Sequence, residues 1–163
     1  MAVVKVNYIK GKKAIAAARA AGDYYTFREG PDQATRTWQT PEGEKVYKWK
    51  EIRTEIGQQA KEHKYTYRIV LSQEKGTFGP GHYDEVLKAA GIGNAYFVIH
   101  DNTPHQHAHA IAFTEKRMTR KDFATMRGRM AELENTLEKS AEKSAGAERT
   151  VSQGQDRGGG LGM

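Results

Sequence analysis

Two alternating rhythms of apolar and polar positions run through this chain, one of period two and one near 3.6, and together they divide it into strands and helices. Ala2–Ile9, AVVKVNYI, mixes β-branched residues with Lys5 and Asn7 and reads as a strand. KKAIAAARAAG then predicts a short alanine-rich helix from Lys12, capped at Gly22. Between Tyr47 and His63, the residues Trp49, Ile52, Ile56 and Ala60 recur at helical spacing with lysines and arginines between them, which predicts an amphipathic helix. KYTYRIVLS, Lys64–Ser72, has the β-branched and aromatic content of a central strand. A short helix over Asp84–Ala90 places Tyr83, Val86 and Leu87 on one face and ends at Gly91. Ala95–Ile99 is a short apolar run, and His107–Phe113 alternates strictly, so the two predict a hairpin closed by Asp101–Gln106. Thr119 and Asp122 have the spacing of a capping box, and Phe123, Met126, Met130, Leu133 and Leu137 form one apolar stripe on a long helix behind it. This order predicts an α+β fold. Its expected form is an antiparallel sheet of four or five strands with helices mainly on one face and the histidines exposed on the other.

Composition narrows the picture. The chain has 163 residues, enough for one domain with a proper core, and residues 1–143 are read as that domain. From Ser144 large apolar residues become scarce and the chain ends in glycines, so 144–163 reads as a disordered tail or linker. Twenty-six Lys and Arg against twenty Asp and Glu give a net charge of +6, which favours a polyanionic partner. Cysteine is absent, which excludes thiolate metal sites and disulfides. No apolar run approaches membrane-spanning length and no signal-peptide core opens the chain, so no membrane partner is expected and a cytoplasmic protein is implied. QEKGTFGPG, Gln73–Gly81, lacks a lysine after its glycines and is not read as a nucleotide cradle.

Four of the six histidines lie in AYFVIHDNTPHQHAHAIAFT, Ala95–Thr114. A hairpin here sets His100 beside His107, at a cross-strand separation of about 5 Å. Side chains on a strand alternate faces, so His107 and His109 share one face while Ala108, Ala110 and Ala112 let a helix approach the other. Three neutral imidazoles suit a divalent transition metal and leave coordination positions open, as a catalytic site requires. Upstream, Tyr24 and Tyr25 follow the expected end of the first helix, where a phenol can attack a phosphodiester. In an extended segment the two would point to opposite sides. Trp38 lies in a turn-rich stretch, Pro31–Lys45, that is a candidate DNA clamp, although a tryptophan in a small domain is more often core. Arg28, Lys116, Arg117, Arg120 and Lys121 are candidate phosphate contacts, the last four at a basic helix start read as lying beside the histidine strand.

His100, six residues, then His107-Ala108-His109 resembles the third motif of relaxases, the conjugative and mobilisation branch of the histidine–hydrophobic–histidine single-strand DNA endonucleases. Tyr24-Tyr25-Thr26-Phe27-Arg28 is similar to their N-terminal motif, with Tyr24 in the nucleophile's slot, and the tyrosine-before-histidine order is theirs too. The resemblance covers most of Val3–Phe123. It implies a manganese- or magnesium-dependent nickase that cuts and rejoins single-stranded DNA through a 5′-phosphotyrosine, at an origin-of-transfer-like site, with accessory mobilisation proteins as partners. Two alternatives stay open. His105-Gln106-His107-Ala108-His109 is similar to the motif of histidine-triad nucleotide hydrolases, which would make His107 or His109 a nucleophile and need neither tyrosine nor metal, and a non-catalytic DNA-binding domain would keep the fold without the cutting activity.

Overall fold

The computed structural model describes residues 2–9, 13–28, 36–41, 46–74, 76–101 and 105–155. In chain order the elements are β1 (Val3–Ile9), α1 (Ala14–Phe27), β2 (Trp38–Gln39), β3 (Val46–Tyr47), α2 (Trp49–Glu62), β4 (Tyr65–Ser72), α3 (Pro80–Ala89), β5 (Ala95–His100), β6 (His107–Thr114) and α4 (Arg120–Gln155). One sheet runs β1-β4-β6-β5-β2-β3, and every pairing in it is antiparallel. Four of its strands are long, while β2 and β3 are two residues each. The α+β class with an antiparallel sheet is as the residue pattern predicts, and β4 lies inside the sheet, next to the edge strand β1.

The layering differs from the expectation, because helices cover both faces of the sheet. On one face Tyr67, Ile69, Leu71, Phe97 and the alanines of β6 pack with Tyr83, Val86 and Leu87 of α3 and with Met126 and Met130 of α4. On the other, Tyr96, Val98, Ile111 and Phe113 pack with Ala18, Ala21 and Tyr25 of α1 and with Trp49, Ile52, Ile56 and Ala60 of α2. The parity that carries His107 and His109 also carries Ile111 and Phe113. A face that ends in two large apolar side chains has to be buried, and α1 and α2 bury it.

The first helix does not stop at Gly22; it runs on to Phe27 and takes both tyrosines with it. Gly22 is a contact residue. A Cβ there would fall 2.1 Å from Cη2 of Trp49, so only glycine lets α1 and α2 approach this closely. The true end is at Arg28, whose N–H bonds the Tyr24 carbonyl at 3.0 Å. Buried Arg36 caps it, its guanidinium donating to the carbonyls of Tyr25, Thr26 and Arg28, where a cation also suits the helix dipole.

The third helix begins at Pro80, earlier than its apolar face suggests, since proline fits a first helical position. Gly91, at φ 80°, ends it as expected. The last helix opens with the Thr119 N–H bonded to Asp122 at 2.8 Å and buries Met126 and Met130 of the predicted stripe. It continues to Gln155, through much of the stretch read as disordered, where Ala, Glu and Arg sustain a helix and no proline stops it. Residues 156–163 lie outside the described ones, as do 31–35 and 42–45 of the candidate clamp. No helix among the described residues is long and apolar enough to cross a membrane.

Candidate metal centre

The strands β5 and β6 form the expected hairpin, with His100 opposite His107 and Val98 opposite His109. The parity of both strands turns all three imidazoles to the α1/α2 side. Their ring centroids are 5.4 Å (His100–His107), 4.6 Å (His100–His109) and 4.8 Å (His107–His109) apart. One potential ligand nitrogen from each lies within 4.8 Å of the others. Two nitrogens about 2.1 Å from a shared ion sit at most about 4.2 Å apart, so a small rotation of the rings reaches ligation distance.

Hydrogen bonds orient the rings. His100 Nε2 is 2.8 Å from the carbonyl oxygen of Tyr25, which can only accept, so the proton sits on Nε2 and Nδ1 carries the lone pair. His107 Nδ1 is 3.3 Å from the His105 carbonyl, which turns the lone pair to Nε2. His109 is buried, and neither of its ring nitrogens has a hydrogen-bond partner. Burial, with His100, His107, Arg28 and Arg68 nearby, lowers its pKa to about 3. A neutral imidazole with two orphaned nitrogens inside a protein is costly unless something takes a lone pair, and a metal ion does. The donor set therefore fits a divalent transition metal.

Of the tyrosine pair, Tyr25 packs on this cluster and Tyr24 packs on Tyr25. Tyr25 is 1% exposed, its ring stacks on His109 at 4.3 Å, and its hydroxyl accepts from Arg68 Nε at 2.8 Å. Tyr24 is 55% exposed; its ring is 6.2 Å from that of Tyr25 and 5.7 Å from the Arg28 guanidinium. Being consecutive on a helix, the two diverge by about 100° and do not face opposite ways. Trp38 is fully buried, donates to Thr26 Oγ1 at 2.8 Å and packs on Trp49, so it belongs to the core and is not a base-stacking residue.

Arg28 lies with the histidines, but Lys116, Arg117, Arg120 and Lys121 do not. They follow Thr114, the far end of β6, seven residues and about 24 Å from His107. Arg68 is the cation that sequence reasoning missed. Its signal was a lone arginine inside an otherwise apolar and hydroxylic central strand, on the parity of Thr66 and Val70. Gln106, between two histidines, accepts from the Phe78 N–H at 3.0 Å and from the Tyr83 hydroxyl at 2.7 Å, which ties the glycine-rich loop to the start of β6. The fourth histidine of the motif, His105, is exposed and lies outside the cluster. Compared with known proteins, the chain matches no family model, no curated protein and no solved structure.

Proposed function

We propose that this chain nicks and rejoins single-stranded DNA by metal-dependent transesterification, as relaxases do, in the mobilisation of plasmid or other mobile-element DNA. The observation that carries the reading is the three-imidazole cluster with a tyrosine-bearing helix end packed on the same face of the sheet. A divalent ion, manganese or magnesium, bound by His100, His107 and His109 would supply Lewis-acid polarisation of the scissile phosphate. Tyr24 is the exposed phenol of the pair, next to Tyr25 and Arg28. Its oxygen forms the new bond to phosphorus while its proton is lost to solvent; the bond to the 3′ oxygen breaks, and that oxygen takes up a proton as it leaves. The 5′ phosphate stays on the tyrosine as a diester, so the exchange is close to level in energy and runs in reverse to rejoin strands. Arg28 and Arg68 set positive charge against the histidines, where a phosphate is favoured. Tyr25 braces the rings of His100 and His109. The histidine-triad alternative would make His107 or His109 a nucleophile on a nucleotide phosphate and would leave the tyrosines and the metal without a role.

The test is cleavage of a pool of randomised single-stranded oligonucleotides, with and without manganese. The expected result is a covalent protein–DNA adduct that needs the metal and is lost in the H100A/H107A/H109A variant. Absence of any adduct from the wild-type chain with manganese present overturns the reading.

A further inference from the structure

The candidate phosphate contacts that fall away from the histidines gather around other aromatic residues. Tyr65 pairs with Thr114 at the end of β6, and Tyr8 pairs with Tyr67, so strand register brings three tyrosines to the end of the sheet opposite the metal centre. Their rings pack at 5.8 Å (Tyr8–Tyr65), 5.5 Å (Tyr8–Tyr67) and 6.4 Å (Tyr65–Tyr67). Tyr67 is buried, and its hydroxyl accepts from the Met118 N–H at 2.9 Å, which pins the β6–α4 connection over the group. Tyr8 is 41% exposed, the Lys64 ammonium stands 5.9 Å from the Tyr65 ring, and Lys116, Arg117, Arg120 and Lys121 surround the connection, all exposed. Glu115 and Asp122 are the acidic residues of the same segment, so cations prevail. Beside it a cleft of about 710 Å³ opens between this connection and the turn after α3, with Phe113 and Ile92 among its walls and Lys116 and Arg117 at its edge.

An exposed ring, Tyr8, and a half-buried one, Tyr65, beside a run of exposed cations match a flexible polyanion whose bases are free to stack. A duplex hides its base faces, and a lipid surface would call for an apolar wedge in place of phenols. We infer that this end of the molecule, on the α3/α4 face of the sheet, is a second contact surface for single-stranded nucleic acid, with Tyr65 and Tyr8 as stacking residues at strand positions about 24 Å and about 17 Å along the sheet from His107. The inference rests on the proposed function for its ligand class, and it adds that one strand is gripped at two separated places.

Fluorescence anisotropy with the full chain tests it, using a labelled single-stranded oligonucleotide of mixed sequence across a salt series. Y8A is expected to weaken binding by roughly five- to 150-fold, the range for loss of one base–aromatic stack. K116A/R117A should make the salt slope shallower by roughly 0.7 for each phosphate contact removed. K50A/K61A on α2 removes the same charge elsewhere and should leave the slope nearly as it was. Photocrosslinking of the bound strand should mark Tyr8 or Tyr65 independently of affinity. Equal effects from the two double-lysine-and-arginine removals, with no crosslink at either tyrosine, would overturn the second surface while leaving cutting at the histidines untouched. A wild-type chain that binds no single strand at low salt overturns both.

Discussion

Tyr25 serves the cluster through three different groups: its carbonyl accepts a hydrogen bond from His100 Nε2, its ring covers His109, and its hydroxyl accepts one from Arg68 Nε. Only the third is lost in Tyr25→Phe. That variant should keep adduct formation and lose about 1 kcal/mol of stability, read from urea unfolding. Tyr25→Ala strips the ring from His109, and manganese affinity measured by calorimetry should drop by roughly ten- to 100-fold, the usual effect of removing a group that orients a ligand. Tyr24→Phe has the complementary signature. It should bind manganese and DNA as the wild type does and form no adduct, since only the attacking oxygen is gone. An adduct that survives Tyr24→Phe and disappears in Tyr25→Phe would move the nucleophile to the buried phenol, and one that survives the double variant would end the tyrosine mechanism. The pair could be read from sequence as candidate chemistry. Which member is exposed could not, because that depends on where the helix ends.

Gly22 is where sequence reading and structure part company at the level of elements. After an alanine-rich helix a glycine is ordinarily a C-terminal cap, and the same residue type also marks close approach of two backbones; local sequence does not separate the two. Trp49, twenty-seven positions on, decides it by lying against Gly22 and bonding Asp23 through its indole N–H. Gly22→Ala would gain up to about 1 kcal/mol of helix propensity, yet its methyl group meets a buried indole ring. Overpacking of that kind costs about 1–3 kcal/mol, so the expected result is a lower unfolding midpoint in urea, and a higher one would mean the helices separate easily. The hairpin register and the buried faces of α2 and α4 were legible, because each follows from a local period. The covering of the histidine face was legible in part: Ile111 and Phe113 share the parity of His107 and His109 and needed a partner layer, while the identity of that layer depended on contacts distant in sequence.

Across the whole molecule, positive charge and titration divide between two ends of one sheet, and stability is expected to register what happens at the histidine end. His109 holds a pKa of about 3 in the fold, against an ordinary value of 6.5 in the unfolded chain. Between those values the unfolded chain binds a proton that the folded chain refuses, so stability rises with pH there. The contribution is complete above pH 6.5 and is lost progressively as pH falls toward 3. Carboxylates titrate over part of the same window, so the comparison is with His109→Phe, which keeps a ring against Tyr25 and cannot be protonated. Urea midpoints of the metal-free proteins at pH 7 and pH 4 should differ more in the wild type than in that variant. Manganese supplies an independent reading of the same residue. At a free concentration one hundred times its Kd, a ligand specific to the folded state stabilises it by about 2.7 kcal/mol, so the wild-type midpoint should rise with manganese at pH 7 while that of His109→Phe stays nearly still. Parallel pH dependences in the two proteins would show that the His109 ring is protonated as readily in the fold as outside it. An equal manganese shift in both would remove His109 from the ligand set.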